Sequence, residues 1–470
     1  MLPINDIRSR NLKKNIDIET DSPASRRSLI LNLTLPALGE NVLASLVSVI
    51  DLIMVGTLGA FAIGAVGLNG QPYFLMLAAF QALNVGATAV VSRFKGAGNR
   101  ESANQVLCQA MIITMGIAIV LCLAMFFGGE PFIRFLAGEN ISEETIQGAI
   151  IYLRIQVYGF PALALTFTVH AVLRGVGNTS AAFYDNLVKN ILKIFFNYCL
   201  ISGKFGFPAM GLMGASLATV IGTCVAMFMA LSRVLSRRGS VRLYPQKLFT
   251  IDISMIRRIL KIGLPSLMEQ VIMRTGMLLF TVIVTSLGNQ AYAAHMIAMN
   301  LWQIAYMPGM SFGVAATTLI GQCLGRIRED LAKLFFKETQ RLNFIISVAV
   351  TAVVFAGASQ IASLFTSDPD IAIQAANMMK LIAVVNPMCC ARWVCTSALR
   401  GAGDSRFVAM ITLIGVLVVR PLSSVILVFP LFPFQLGLTG VWIAISIDMV
   451  VCYFIARARF NKGKWASIQV

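Results

Sequence analysis

This sequence has little charge: Asp, Glu, Lys and Arg make up 13% of its 470 residues, where a soluble domain carries about 25%. The apolar residues from Ala to Cys reach 57%. A soluble globule of this length could not hide that much apolar surface, so the composition excludes one. Histidine is nearly absent, with His170 and His295 in opposite halves. The chain has no HExxH and no GxxxxGK[ST] run, which removes the common zinc hydrolases and P-loop enzymes. The nine cysteines form no CxxC pair, and scattered thiols inside apolar runs read as small packing residues, with no disulfide frame or metal site implied. The first 28 residues lack an apolar core followed by small residues, so no cleavable signal is expected. Nor is there a Lys/Arg run interleaved with aromatics, and a nucleic-acid partner is not expected despite the net charge of +17.

What is present is a series of about twelve apolar stretches, each near the roughly 20 residues needed to cross a bilayer. The expected spans are 29–57, 62–92, 104–127, 146–173, 181–202, 210–235, 259–286, 291–322, 337–359, 372–399, 407–430 and 438–456. Consecutive connections alternate sides. Arg134 and Lys204 are the basic residues on one side, and the remaining loop Lys and Arg crowd the other. By the positive-inside rule the rich side is cytoplasmic. A multi-pass cell-membrane protein with both termini inside is therefore expected, surrounded by the lipid bilayer.

The sequence is also written twice. Leu35, Pro36, Leu38 and Glu40 match Leu264, Pro265, Leu267 and Glu269 without a gap. Pro161 matches Pro387, and Leu173-Arg174-Gly175-x-Gly177 matches Leu399-Arg400-Gly401-x-Gly403. Each half holds an even number of spans, so both enter the membrane in the same direction and are related by a pseudo-twofold axis along its normal. The expected architecture is an all-α transmembrane fold of two six-helix lobes. Its expected divisions are a tail 1–28, a first lobe 29–235, a linker 236–258, a second lobe 259–456 and a tail 457–470. The LRGxG runs are expected in cytoplasmic loops, and the linker reads as an ordinary connector.

Charges inside a bilayer are costly, and each is a functional candidate. Glu40 and Asp51, three helical turns apart, share one face of the first span about 16 Å from each other. Glu269 stands in the seventh. In the fifth, Asn186, Asn190, Lys193 and Asn197 recur on one stripe, while Asp185 and Lys189 form an i,i+4 pair expected to neutralise itself. Lys193 is expected to approach Asp51, lower its pKa and be displaced by the incoming cation or proton; a buried network that only fixes the lobe is the alternative. In the second lobe Arg274 and Arg392 either line the cavity or pair with Glu269 or Asp448. His295 stands as a candidate relay or a packing histidine, and Lys380 and Arg420 are expected to snorkel from span ends.

At these residues the sequence resembles the multidrug and toxic compound extrusion family of cation-coupled efflux antiporters. The carriers are LPALGENVLASLVSVIDLIMVGTLG in the first span, LRGVGNT after the fourth, LPSLMEQ opening the seventh, AYAAHMIAMN in the eighth and LRGAGDS after the tenth. The resemblance implies twelve helices in two lobes and export of a small molecule by rocker-like alternation driven by protons or sodium. It implies no enzymatic step and no cofactor beyond the coupling ion. Family acids of the first and seventh spans map onto Asp51 and Glu269. An Asp that some members place in the tenth span is Met388 here. The Asn and Asp that others place four apart in the fifth are Lys193 and Asn197. A proton is therefore expected over sodium, and a monomer over an oligomer. The rival readings are a flippase for a lipid-linked or anionic amphiphile of the same superfamily, and a major-facilitator carrier, whose Asp-Arg loop signature is missing from RFKGAGNRES.

Overall fold

The computed structural model describes residues 22–138, 141–236, 239–366, 368–428 and 436–468. The tail residues 1–21 and the linker residues Arg237 and Arg238 lie outside them. Among the described residues there are no strands, and the chain makes twelve long helical passages. The first lobe contains α1 Pro23–Gly56, α2 Ala60–Gly96, α3 Arg100–Ala137, α4 Glu143–Gly175, α5 Thr179–Ser202 and α6 Gly211–Leu235. The second contains α7 Ile253–Thr285 and α8, which runs as Asn289–Ala305 and Met307–Gly325 with a bend of 40°. It continues with α9 Glu329–Ser363, α10 Pro369–Gly401, α11 Ser405–Val428 and α12 Gly437–Asn461. Ten of these are individually long and apolar enough to cross a membrane, and the bent pair makes an eleventh. Helix α5 falls short because Asp185, Lys189 and Lys193 interrupt its apolar character.

The helices outlast the expected spans, most at α3 and α9, where charged turns continue the helix beyond the apolar run. Asn99 and Ser142 cap α3 and α4 by accepting from backbone N–H groups of the first turn.

The internal repeat is visible atom by atom. Thr88 Oγ1 donates to the Ala171 carbonyl at 3.0 Å, and its equivalent Thr317 to the Ser397 carbonyl at 2.9 Å. Asn178 N reaches Leu173 O at 2.8 Å, and Asp404 N reaches Leu399 O at 2.8 Å. The paired glycines Gly177 and Gly403 have φ of 92° and 87°, a left-handed conformation that costs glycine little.

The lobes meet at the linker end. A Cβ on Gly96 would strike the backbone of Gln322, and one on its equivalent Gly325 would strike the backbone of Arg93. Only glycine allows that approach of α2 and α8. Gln322 Nε2 donates to Gly175 O at 2.9 Å, and Arg93 Nη2 to Ala402 O at 2.8 Å, so each lobe caps the end of a helix in the other. Interlobe contact reaches mid-helix, where Asn41 Nδ2 donates to Ser311 Oγ at 3.1 Å and Arg274 lies 4.7 Å from the Phe74 ring centroid. Beyond that level Leu46, Leu52, Ile53, Leu278, Val282 and Met296 are exposed. The interlobe hydrogen bonds found among the described residues lie between the linker end and mid-helix.

The linker is more than a connector. Arg242 N donates to Asn104 Oδ1 at 2.7 Å, and Gln109 Nε2 to Thr250 O at 2.7 Å. Lys247 pairs with Glu101 at 2.9 Å, and its ammonium holds the Glu101 carboxyl below the usual range. The linker therefore lies seated on α3. At the other terminus Trp465 is fully buried, stacked on Phe460 at 4.5 Å.

Candidate functional site

Glu40 and Asp51 do share a face of α1, and α5 packs along it. At Glu40 the partner is Arg174, whose Nη2 donates to Oε1 at 2.7 Å, joined by Asn186 Nδ2 at 2.9 Å. The second lobe repeats the arrangement. Arg400 Nη2 donates to Glu269 Oε1 at 2.5 Å, and Thr412 Oγ1, the equivalent of Asn186, to the same oxygen at 3.4 Å. Arg174 and Arg400 are thus not loop residues as expected. With Gly175 and Gly401 they occupy the last turns of α4 and α10, and the chain leaves the helix only at Gly177 and Gly403. The helix persists because both glycines at its end pack against backbone, Gly175 on Thr88 and Gly401 on Thr317. That packing turns each arginine inward to an acid.

Asp51 is different. Lys193 Nζ makes an ion pair with its Oδ2, and Asn197 Nδ2 donates to Oδ1 at 2.8 Å. Both ions keep about a fifth of their side-chain surface accessible. Asn197 Oδ1 is buried without a partner, an acceptor held beside a carboxylate. The positions equivalent to Asp51, Lys193 and Asn197 in the second lobe hold Phe280, Val419 and Ser423. The ion pair therefore belongs to one lobe. Asn190 is buried on the same stripe.

Several expected pairings give way to others. Asp185 does not neutralise Lys189: it is fully buried between Arg233, at 2.8 Å, and His170, at 3.1 Å. Neither partner neighbours it in sequence, and nothing in the pattern marked Arg233. Lys189 makes no hydrogen bond or ion pair among the described residues, and its stem packs on Gly222 of α6. Arg420 does not snorkel. It is buried and reaches Asp448 at 2.5 Å. Arg274 pairs with neither Glu269 nor Asp448 and instead covers Phe74 from the other lobe. Arg392 is buried inside the second lobe against the Met449 sulfur at 2.7 Å, away from the interlobe space. His295 is also interior, with its ring 5.6 Å from both Phe280 and Trp442.

No group of three or more His, Cys, Asp or Glu fit to hold a metal occurs among the described residues. The charge at the centre is that of a partly accessible ion pair, set on a helix that both acids of α1 touch.

The comparisons with known proteins agree with this architecture. The MatE family model matches residues 36–199 and 265–426, one copy in each lobe. A probable multidrug resistance protein NorM of Thermotoga maritima is 30% identical over 97% of this chain and 96% of its own. The uncharacterized transporter YisQ of Bacillus subtilis is 25% identical over 94% of this chain and 96% of its own. Among solved structures, a multidrug resistance MATE family transporter of the MOP superfamily, in an outward-facing conformation, superposes with a TM-score of 0.85 at 22% identity. The match covers 93% of this chain and 96% of that one. A MOP superfamily transporter from Pyrococcus furiosus reaches 0.86 at 21%, over 94% and 97%. At those identities the structures speak for the fold, and the family rests on the sequence matches. The chain belongs to the MatE family of multi-pass multidrug efflux transporters.

Proposed function

We propose that this protein exports amphipathic, cationic organic compounds across the cell membrane in exchange for protons. The observation that carries the reading is the asymmetry of the charges. The Glu–Arg pairs occur in both lobes and serve what the lobes have in common, the closure of α1 on α4 and of α7 on α10. The Asp51–Lys193–Asn197 group occurs in one. Protonating Asp51 removes the attraction that holds Lys193, freeing the ammonium to swing, while Asn197 turns its unpartnered oxygen to the new carboxylic acid. Deprotonation restores the pair. Such a cycle between two arrangements of α1 and α5 can drive alternation of the lobes.

A proton suits this site better than sodium. Hard cations need several oxygen ligands, and the Lys193 ammonium already occupies the space beside Asp51 and repels them. The test is dye efflux from reconstituted vesicles with proton and sodium gradients imposed separately. Transport should follow the pH gradient alone, and Lys193→Asn should weaken that response or admit sodium dependence. Wild-type export that requires sodium at constant pH overturns the reading. Both termini are assigned to the cytoplasm from the distribution of basic residues. Cysteines placed at Lys204 and Arg257 should label from opposite faces of the membrane.

A second reading, transport of an anionic amphiphile, is favoured by Arg274, an exposed guanidinium at the seam that lies over the Phe74 ring of the other lobe and holds no carboxylate among the described residues. Vesicles loaded with cationic and anionic dyes of equal size separate the two readings.

A further inference from the structure

On the outer face of the second lobe, away from the space between lobes, α9, α10 and α12 leave a crevice of about 430 Å³. Gln340, Arg341, Phe344 and Ile345 of α9, Ala391 of α10, and Tyr453 and Arg457 of α12 line it. Its depth in the membrane follows from the sequence. Arg341 is the last charge of α9 before a long apolar run, and Arg457 is the first after the apolar run of α12. Both guanidinia therefore stand where the hydrocarbon ends, on the linker side. Phe344 and Ile345 follow Arg341 at i+3 and i+4 and so share its face one turn deeper. They are 55% and 56% exposed. Tyr453 stands one turn deeper than Arg457 in the same way. Two stripes with cationic heads and apolar stems thus face one another.

The two cations here are not committed to an acid. Arg174, Arg233, Arg400, Arg420 and Arg459 each hold a carboxylate. Among the described residues Arg341 and Arg457 hold none. Arg457 instead lies over the Phe336 ring, 5.0 Å from its centroid, which fixes its direction. The back wall is fixed too, because Gln340 Nε2 donates to Ala391 O at 2.9 Å and to Cys395 Sγ at 3.0 Å.

We propose that this crevice binds one anionic phospholipid of the linker-side leaflet, with its phosphate between Arg341 and Arg457 and an acyl chain along Phe344 and Ile345. The charge is complementary, and the level is that of the headgroups. Basic recesses between membrane helices suit anionic lipid headgroups, and the same leaflet attracts basic residues through its surface potential. A free anion would use the guanidinia but leave the exposed apolar stripe uncovered.

The full-length protein, placed in bilayers of phosphatidylcholine with rising phosphatidylglycerol and then extracted gently, should retain one phosphatidylglycerol, counted by native mass spectrometry. Arg341→Gln should weaken its retention about five-fold, as should Arg457→Gln. Arg257→Gln, an exposed linker-side cation on α7, should leave retention unchanged. Arg341 is exposed, so its replacement disturbs no packing, and an unaltered melting temperature in lipid-free detergent checks this. Adding inorganic phosphate should not displace the lipid. Equal retention of phosphatidylcholine, equal loss with Arg257→Gln, unchanged retention in Arg341→Gln, or displacement by inorganic phosphate would each overturn the assignment.

Discussion

At the scale of single residues, the acids of this protein differ in what their partners can do. Glu40, Glu269 and Asp448 are each held by an arginine, which stays protonated at any working pH and offers a planar fork. Asp51 is held by a lysine, a point charge on a flexible stem. Arginine partners make fixed pairs and a lysine partner makes a releasable one. Asp51→Asn should abolish gradient-driven efflux with little change in melting temperature, because Asn keeps the volume and the hydrogen bond to Asn197 but cannot cycle a proton. Arg174→Gln should do the reverse in emphasis. It leaves Glu40 with Asn186 alone, and taking the partner from a half-buried carboxylate costs about 1–3 kcal/mol, read as a fall in melting temperature. Normal efflux by Asp51→Asn would move the coupling role to Glu40 or Glu269. The approach of Lys193 to Asp51 was legible from the polar stripe of α5. The approach of Arg174 to Glu40 was not, because LRGxG reads as a turn. A signal was present all the same: Glu40 and Arg174 each recur in the second half, as Glu269 and Arg400, so a contact in one lobe is expected in both.

At the scale of elements, the repeat breaks at the helix that carries the proposed coupling group. Helix α5 is regular through Lys189 and Lys193. Its equivalent α11 is a π-helix over Ile414–Val419, the matching positions, and π segments mark places where a helix has absorbed an extra residue or serves a site. The wider turn brings Gly415 against Asp448 and Cys452, and Val416 against Gly276. No apolar periodicity could reveal this, since the run Ile414–Val419 is apolar on every face. A methyl group at Gly415 has no room, because Arg420 pins the Asp448 carboxylate it would strike. Gly415→Ala should therefore destabilise the protein by about 1–3 kcal/mol, while Val418→Ala, at an exposed position on the same segment, should be close to neutral in thermal unfolding. Equal melting temperatures for the two variants would mean that α11 can slide on α12, against the packing described.

At the scale of the whole molecule, the lobes are tied by hydrogen bonds of which those of Gln322 and Arg93 form a twofold-related pair. Gln322 and Arg93 cap opposite helix ends, Thr318 Oγ1 donates to Arg174 O at 2.9 Å, and Arg27 reaches Glu338 at 3.1 Å. Arg174 is thus held twice, by its side chain to Glu40 within its lobe and by its carbonyl to the other lobe. On the proposed cycle, a change in α1 reaches the seam through that residue. Hydrogen bonds of this kind each contribute about 0.5–1.5 kcal/mol, and they reinforce an apolar seam in which Ile30 and Leu33 of α1 pack into the core of the second lobe and Ile259 and Ile262 of α7 into that of the first. Alternation of the lobes requires this seam to open. Asn41 and Ser311, in direct contact across the seam at mid-membrane, offer a place to forbid it. Asn41→Cys with Ser311→Cys, oxidised to a disulfide, should stop efflux, and a reductant should restore it. The native cysteines do not interfere, because they are buried or half-buried and none is paired. Each single variant should transport normally, which separates the lock from loss of the Asn41 bond. If the oxidised double variant exports at the wild-type rate, the lobes do not part at this seam, and movement within the first lobe alone, around Asp51 and α5, must carry the cycle.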